Sequence, residues 1–253
     1  MLATYRQGPE GGTPLLIVHG LFGSARNWGA VARRLARDRL VLTVDMRNHG
    51  DSFRDPDHGY EDMAGDLARV IERNGDSADV LGHSMGGKAA MVLALTRPEL
   101  VDRLIVGDIA PVAYSHTQLH LVQAMQELDL TGLTRRSEAD SKLARIVPDS
   151  GTRAFLLQSL DLKSSPARWK LNLDVLSAEM DGILGWPDID SRFDGPALFL
   201  TGENSDYFRQ EYRPETKRLF PRARFARIRG AGHWLHADKP REFEAAAASF
   251  LVR

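Results

Sequence analysis

The chain contains the segment Val80-Leu81-Gly82-His83-Ser84-Met85-Gly86-Gly87-Lys88, in which the pattern Gly-x-Ser-x-Gly stands between two apolar stretches. The stretch before it predicts a buried strand, and the stretch after it, rich in Ala, Met and Leu, predicts a helix. A turn this tight between strand and helix strains the backbone of Ser84, and only small flanking residues let the chain pass so closely. We therefore expect the Ser84 hydroxyl to project above the sheet as a nucleophile; the alternative interpretation is an ordinary turn.

Six apolar runs bounded by turn residues predict buried parallel strands, including the one that precedes Ser84. They cover residues 15–18, 40–44, 78–81, 104–106, 197–200 and 225–228. Helical patterns lie between several of them, at residues 28–35, 63–71 and 89–95. This alternation of strands and helices predicts an α/β fold with a mostly parallel, doubly wound sheet.

The alternation stops after Asp108, and about 85 residues pass before the next predicted strand, far more than an ordinary connection needs. Apolar residues recur at helical spacing through this interval, so it is expected to be folded. We predict one structural unit in which residues 1–112 and 193–253 form the α/β core and residues 113–192 form an inserted helical cap. Open α/β sheets bind ligands at the carboxyl ends of their strands, so a cap over that edge would enclose a pocket.

The composition narrows the classes of function that the chain can have. With 33 basic and 34 acidic residues the formal net charge is −1, which gives no reason to expect binding to nucleic acid or to a membrane surface. The sequence contains no cysteine, which excludes thiol nucleophiles, disulfides and Cys-ligated metals. Residues 1–7 do not resemble a signal peptide, and no apolar run is long enough to span a membrane, so we predict a cytoplasmic protein with a small-molecule partner.

A serine hydroxyl becomes a strong nucleophile only when a neighbouring base takes its proton, so a histidine is required. His233 is the best placed of the eight histidines, because it follows the last predicted strand in Gly-Ala-Gly-His-Trp. His19 and His83 adjoin the predicted catalytic loops and are expected to support or pack. His116 and His120 have the spacing of a helical metal-binding pair, but the segment lacks the glutamate of His-Glu-x-x-His and a third ligand, so neither a metal nor another cofactor is predicted.

Acyl transfer also needs donors for the negative charge that develops on the substrate oxygen, and rigid backbone N–H groups suit this task. One candidate for this oxyanion hole is the amide of Met85, directly after the nucleophile at the start of the predicted helix. The other is the amide of Leu21, in the Gly-rich loop His-Gly-Leu-Phe-Gly-Ser at residues 19–24. The alternative interpretation of that loop is a plain connection from strand to helix.

Position in the chain leaves three aspartates as candidates for the acid that orients the histidine. Asp108 follows a predicted strand and stands at the carboxyl edge of the sheet, which favours it. Asp206 follows a later strand, but it lies one residue beyond the place where most hydrolases of this architecture carry their acid, and Ser205 occupies that place. Asp174, inside the predicted cap, is a weaker third candidate.

Seven stretches spread over nearly the whole chain match the motifs of one family. They are HGLFGS (19–24), VDMRNHGDS (44–52), GHSMGGK (82–88), DIAPV (108–112), NLDVL (172–176), GENS (202–205) and AGHWLHADKP (231–240). Through them the chain resembles the α/β-hydrolase superfamily and, within it, the bacterial esterase YbfF and its relatives. The resemblance implies an α/β-hydrolase fold and hydrolysis of short acyl esters, with acyl-CoA thioesters as further candidate substrates. It also implies Asp108 as the acid, because those relatives carry serine at the place of Ser205, while the adjacent Asp206 remains the rival.

We therefore predict a carboxylic ester hydrolase that forms an acyl-enzyme on Ser84. Alternatives on the same residues are a lactonase, a carbon–carbon hydrolase, and a small-molecule binding protein that has kept the fold without turnover. Arg135, Arg136 and Arg168 of the cap could meet the phosphates of CoA, but a solvated surface is the favoured interpretation. Six further residues are expected to line the substrate pocket: Phe22, His83, Trp169, Trp186, Tyr207 and Trp234.

Overall fold

The apolar runs form strands in the computed structural model, which describes residues 1–252. The nine strands of this part of the chain are β1 (Thr4–Gln7), β2 (Leu15–Val18), β3 (Val41–Val44), β4 (Ala78–His83), β5 (Val101–Gly107), β6 (Leu160–Asp161), β7 (Arg168–Trp169), β8 (Ala197–Gly202) and β9 (Ala223–Ile228). Seven of them build one sheet in the order β1-β3-β2-β4-β5-β8-β9, and β6 pairs with β7 in a separate antiparallel hairpin. Every neighbouring pair in the large sheet is parallel except β1 with β3.

The predicted α/β sheet is confirmed, and each of the six predicted strands lies in it. The sequence patterns missed β1, because this strand forms an edge of the sheet and its central residues, Tyr5 and Arg6, are exposed. An exposed edge strand needs no apolar run, so hydrophobicity does not reveal it.

Helices connect the strands and cover both faces of the sheet. They are α1 (Gly29–Leu35), α2 (Tyr60–Glu72), α3 (Met85–Thr96), α4 (Leu119–Gln126), α5 (Arg136–Leu143), α6 (Ser150–Leu156), α7 (Leu173–Ala178), α8 (Met180–Leu184), α9 (Arg213–Leu219), α10 (Leu235–Asp238) and α11 (Pro240–Leu251). Among the described residues, none of these helices combines the length and the apolar character needed to cross a membrane.

Alternate residues of the strands point to opposite faces, and this divides the core in two. Leu16 and Val80 belong to the cluster that α2 and α3 cover, whereas Leu15 and Leu81 belong to the cluster that α1 and α11 cover. Helix α3 is buried along nearly its whole length, because it lies between the sheet and α2. Its Gly, Ala, Met and Leu residues suit a helix with no solvent-exposed face.

The segment 113–192 lies between β5 and β8 and holds α4 to α8 together with the β6–β7 hairpin. Several of its apolar residues, including Val122, Met125 and Leu176, join the same cluster as α2 and α3. The parallel sheet places the residues that follow β2, β4, β5 and β8 at one edge, and these residues form the site described next.

Candidate active site

Ser84 stands in the turn between β4 and α3, with φ +53° and ψ −122°. Backbone hydrogen bonds hold this conformation, since the Ser84 N–H donates to the carbonyl of Gly107 at 3.0 Å and the Lys88 N–H donates to the carbonyl of Ser84 at 3.0 Å. A non-glycine residue in such a conformation costs about 1–3 kcal/mol, and the surrounding core sustains that strain. Ser84 lines the cavity above the sheet.

Close backbone contacts explain the glycines on either side of the serine. A Cβ on Gly82 would lie 2.3 Å from the carbonyl oxygen of Gly86, and a Cβ on Gly86 would lie 2.3 Å from the carbonyl oxygen of His19. Both distances are well inside van der Waals contact, and the atoms met belong to the backbone, which cannot turn aside. The start of α3 can therefore rest against β4 and the loop after β2 only when these positions carry no side chain.

Three side chains meet at the carboxyl edge of the sheet in a continuous hydrogen-bonded row. His233 Nε2 lies 3.0 Å from Ser84 Oγ, and His233 Nδ1 lies 2.7 Å from Asp108 Oδ2. Because a carboxylate only accepts, Nδ1 carries the proton and Nε2 is free to accept the proton of the Ser84 hydroxyl. The arrangement has the geometry of an activated serine nucleophile.

Asp108 is 1 % exposed and both of its carboxylate oxygens are engaged. Oδ1 accepts from the Gly202 N–H at 3.0 Å, while Oδ2 accepts from the Ser205 hydroxyl as well as from the histidine. Asp206 is exposed beside this loop, and Asp174 lies on α7, where it accepts from Gln126 Nε2 at 2.9 Å. The structure thus brings Asp108, and neither of the other two candidates, to the histidine.

The Gly-rich loop after β2 passes directly over the nucleophile. Its residue Phe22 has φ +63°, and the Phe22 N–H donates to His49 Nε2 at 3.2 Å. Among the described residues, no hydrogen bond uses the N–H of Leu21 or of Met85, and both residues line the same cavity as Ser84. The two amides named from the sequence are therefore free to donate to a substrate oxygen.

Two buried histidines support these loops in their neutral form. His19 Nε2 accepts from the Met46 N–H at 2.9 Å, and His49 Nε2 accepts from the loop as described above. The Nδ1–H group of each ring donates to a neighbouring backbone carbonyl, at 2.8 Å for His19 and 2.9 Å for His49. Burial lowers the pKa of His19 to about 4 and that of His49 to about 3, so both act as fixed polar supports at neutral pH.

A third buried histidine, His83, supports the base itself. Its Nε2–H group donates to the carbonyl oxygen of His233 at 2.8 Å, and burial holds the pKa of His83 well below its usual range. His83 also lines the cavity. It therefore fixes the backbone that carries the base and forms part of the pocket wall.

Above Ser84 lies a cavity of about 260 Å³ with a mostly apolar and aromatic wall. Four of the six residues predicted to line it do so, namely Phe22, His83, Tyr207 and Trp234. The prediction is wrong for Trp169 and Trp186, which do not reach the cavity. Trp169 lies in the β6–β7 hairpin, where its indole N–H donates to the carbonyl of Met125 at 2.9 Å, and Trp186 packs against the hydrophobic core.

Several residues of the cavity wall were missed from the sequence, and Lys88 is the most informative. This side chain is 1 % exposed, and burial lowers its pKa to about 7. The sequence did contain a sign of its importance. Lys88 is the single charged residue in the apolar helix α3, and it lies one turn after Ser84. Other missed wall residues are Trp28, Tyr60, Tyr114, Phe155 and His236.

The remaining candidates lie apart from one another or from the cavity. His116 precedes α4 and lines the cavity, while His120 is exposed on α4, so the two do not share a helix face. Arg136 donates to the carbonyl of Leu160, and Arg135 and Arg168 are largely exposed. None of these arginines lines the cavity in the described part of the chain.

Comparison with known proteins places the geometry in context. A family model described as alpha/beta hydrolase fold matches residues 13–240. The chain is 41% identical over 253 residues to "sn-1-specific diacylglycerol lipase ABHD11" of Danio rerio, a match that covers 96% of this chain and 80% of the relative. It is 40% identical to "Esterase YbfF" of Escherichia coli, with 92% of this chain and 91% of the relative covered. A solved structure called "Marine microorganism esterase" superposes with a TM-score of 0.94 at 39% identity, covering 99% of both chains.

Proposed function

The chain belongs to the alpha/beta hydrolase fold family, and we propose that it is a serine esterase that hydrolyses carboxylic esters through an acyl-enzyme on Ser84. The observation that carries the proposal is the row of hydrogen bonds from Ser84 through His233 to Asp108. Relatives named as esterases and as a diacylglycerol lipase, similar over most of this chain, support the same reaction class.

The first half of the reaction acylates the serine. As Ser84 Oγ attacks the ester carbonyl, its proton passes to His233 Nε2, and the carbonyl oxygen becomes an oxyanion. The N–H groups of Leu21 and Met85 donate to that oxygen, and one such donor is worth about 2.7–4 kcal/mol in the transition state. The tetrahedral intermediate then collapses, the imidazolium gives its proton to the departing alcohol oxygen, and an acyl-enzyme remains.

The second half repeats these steps with water in place of the serine. His233 takes a proton from a water molecule, whose oxygen attacks the acyl carbonyl. The resulting intermediate releases the carboxylic acid as the imidazolium returns the proton to Ser84 Oγ. Asp108 stays ionised throughout, because its role is to hold the Nδ1–H tautomer and to stabilise the imidazolium that forms twice in each cycle.

Residues 113–192 act in this proposal as a cap that encloses the substrate. Leu121 of α4, Phe155 of α6 and the end of α8 at Ile183 and Leu184 all line the cavity, so the segment supplies much of its apolar wall. Exclusion of water strengthens the hydrogen bonds to the oxyanion, since charges interact more strongly in a low dielectric.

We propose short acyl esters as substrates, because a cavity of about 260 Å³ is at the small end for a ligand pocket. In this proposal the enzyme prefers oxygen esters to acyl-CoA thioesters. The arginines of the cap lie outside the cavity, and among the described residues no arginine lines the wall to bind a phosphate of CoA.

A hydrolysis panel tests the proposal. p-Nitrophenyl esters of increasing acyl length are compared with the matching acyl-CoA thioesters, and Ser84→Ala serves as the control. We expect the highest kcat/KM for short oxygen esters and a loss of about 10⁴-fold or more in kcat for Ser84→Ala. Labelling of the wild type, but not of the variant, by a fluorophosphonate probe would show an activated serine. Retention of a tenth of wild-type activity by purified Ser84→Ala would overturn the proposal.

A further inference from the structure

Tyr114, near the start of the cap segment, meets the end of α8, near the end of that segment, and this contact is called the neck below. The Tyr114 N–H donates to the carbonyl of Leu184 at 2.9 Å, which joins the start of the segment to the end of α8. Lys88 Nζ donates to the same Leu184 carbonyl at 2.9 Å and to the Gly185 carbonyl at 2.5 Å. The neck, defined as Tyr114 with residues 183–185, is thereby fastened to the helix that begins at the nucleophile.

Lys88 also fixes the ring of Tyr114. Its ammonium group lies 4.8 Å from the centroid of that ring, a favourable arrangement of a cation over an aromatic face. Two of the three N–H donors of Lys88 go to carbonyls at the end of α8, where the helix dipole favours a positive charge. The Lys88 side chain thus binds carbonyls of the neck, and it forms no ion pair with an acidic residue in the described part of the chain.

The hydroxyl of Tyr114 leads from the neck to the base. It accepts from the Ala110 N–H at 2.9 Å and donates to the carbonyl of Tyr207 at 2.5 Å. The ring of Tyr207 stacks on the ring of His233, with centroids 3.7 Å apart and planes inclined by 19°. The Tyr207 N–H donates to the hydroxyl of Ser205 at 3.3 Å, and Ser205 in turn donates to Asp108. Tyr207 therefore contacts both the base and a hydrogen-bond partner of the acid.

We propose that Tyr114 is a positioning residue, which seats Tyr207 against His233 and so couples the neck of the cap to the acid–base machinery. This inference rests on the proposed function. The imidazole must become an imidazolium in each transition state, and an aromatic face stabilises a cation only at close range. A loosened Tyr207 ring would therefore weaken the transition state more than it weakens substrate binding.

Thr216 provides a control outside the cavity. It is buried on α9, and its hydroxyl donates to the backbone carbonyl of Tyr212 at 2.8 Å. Thr216→Val removes one buried hydroxyl, as Tyr114→Phe does, but it leaves the cavity wall and the contact of Tyr207 with the base untouched.

The experiment measures kcat and KM of both variants on one p-nitrophenyl ester, beside the wild type and Ser84→Ala. Tyr114→Phe should lower kcat about tenfold with KM within about twofold, while Thr216→Val should change kcat by less than about threefold. Equal losses of kcat in the two variants, or a change confined to KM in Tyr114→Phe, would overturn the inference. Activity in Ser84→Ala would instead overturn the proposed function, whatever the tyrosine variants do.

A second pair of variants keeps the test decisive if Tyr114→Phe fails to fold. Tyr207→Phe keeps the stacked ring, whereas Tyr207→Leu removes it, and both keep the backbone carbonyl that Tyr114 binds. We expect Tyr207→Phe to retain at least about a third of the wild-type kcat and Tyr207→Leu to lose about tenfold. Wild-type kcat in Tyr207→Leu would overturn the inference, because the stack would then contribute nothing.

Discussion

The choice between Asp108 and Asp206 as the acid gives the sharpest prediction. In Asp108→Asn the side chain keeps its shape, but one carboxylate oxygen becomes an NH₂ group that can only donate. Oδ1 of Asp108 accepts from the Gly202 N–H, and Oδ2 accepts from His233 Nδ1 and from the Ser205 hydroxyl. The effect of the change therefore depends on which position the nitrogen takes.

The contact with Gly202 decides this orientation. If the nitrogen faced Gly202, two donors would meet and a buried N–H would lose its partner, which costs about 1–3 kcal/mol. The nitrogen therefore faces His233 and donates to Nδ1, which moves the imidazole proton to Nε2. Since Nε2 then faces Ser84 with a proton already bound, it can no longer accept the proton of the hydroxyl.

We expect Asp108→Asn to lower kcat by about 10³ to 10⁴-fold, equivalent to about 4–5.5 kcal/mol of transition-state stabilisation. Asp206→Asn changes an exposed carboxylate and should lower kcat less than about threefold. Ser205→Ala removes one of the three hydrogen bonds to Asp108 and should fall between the two, at about 10-fold. The assay is steady-state hydrolysis of one p-nitrophenyl ester by purified variants whose circular dichroism matches that of the wild type.

A reversed order of the two aspartate variants would refute the reasoning and assign the acid to Asp206. A loss below tenfold in a folded Asp108→Asn would refute it as well, because the tautomer would then not depend on this carboxylate.

Two further predictions follow from the buried histidines and from the glycines of the nucleophile turn. The free energy of unfolding should fall in acid. Unfolded His19 and His49 bind protons below about pH 6.5, whereas the folded chain keeps both neutral because burial lowers their pKa. The expected decrease in the free energy of unfolding is about 2 kcal/mol for each histidine at pH 5. Urea denaturation at pH 8 and pH 5 measures it, and equal midpoints would contradict the neutral assignment. Gly82→Ala should lower the Tm by more than about 10 °C or prevent folding, because the added Cβ would lie 2.3 Å from the carbonyl oxygen of Gly86. A Gly82→Ala variant with the wild-type Tm would contradict the close packing at this position.

Local sequence was sufficient for the nucleophile turn and for most of the sheet. The Gly-x-Ser-x-Gly pattern specifies the turn because its contacts involve residues a few positions apart, and the apolar runs specify buried strands because both faces of a parallel strand are covered. The position of Trp169, in contrast, depends on long-range contacts. The apolar spacing around it predicted helices, and it did not reveal the small β6–β7 hairpin from which the indole N–H donates to the carbonyl of Met125. A buried tryptophan satisfies its N–H wherever the fold offers a carbonyl, and spacing along the chain does not reveal that place.

By itself the sequence determined that the fold is α/β, that Ser84 stands at a strained turn between strand and helix, and that His233 follows the last strand. Only the tertiary structure decided that Asp108 meets the histidine while Asp206 faces solvent, and that Lys88 fastens the neck of the cap. The physical reason is that a turn is stabilised by neighbours in sequence, whereas the partner of a side chain depends on how distant segments lie side by side. The parallel pairing of β5 with β8 places Gly107 opposite Leu200, and this register brings Asp108 beside Gly202 and Ser205 across more than ninety residues of sequence.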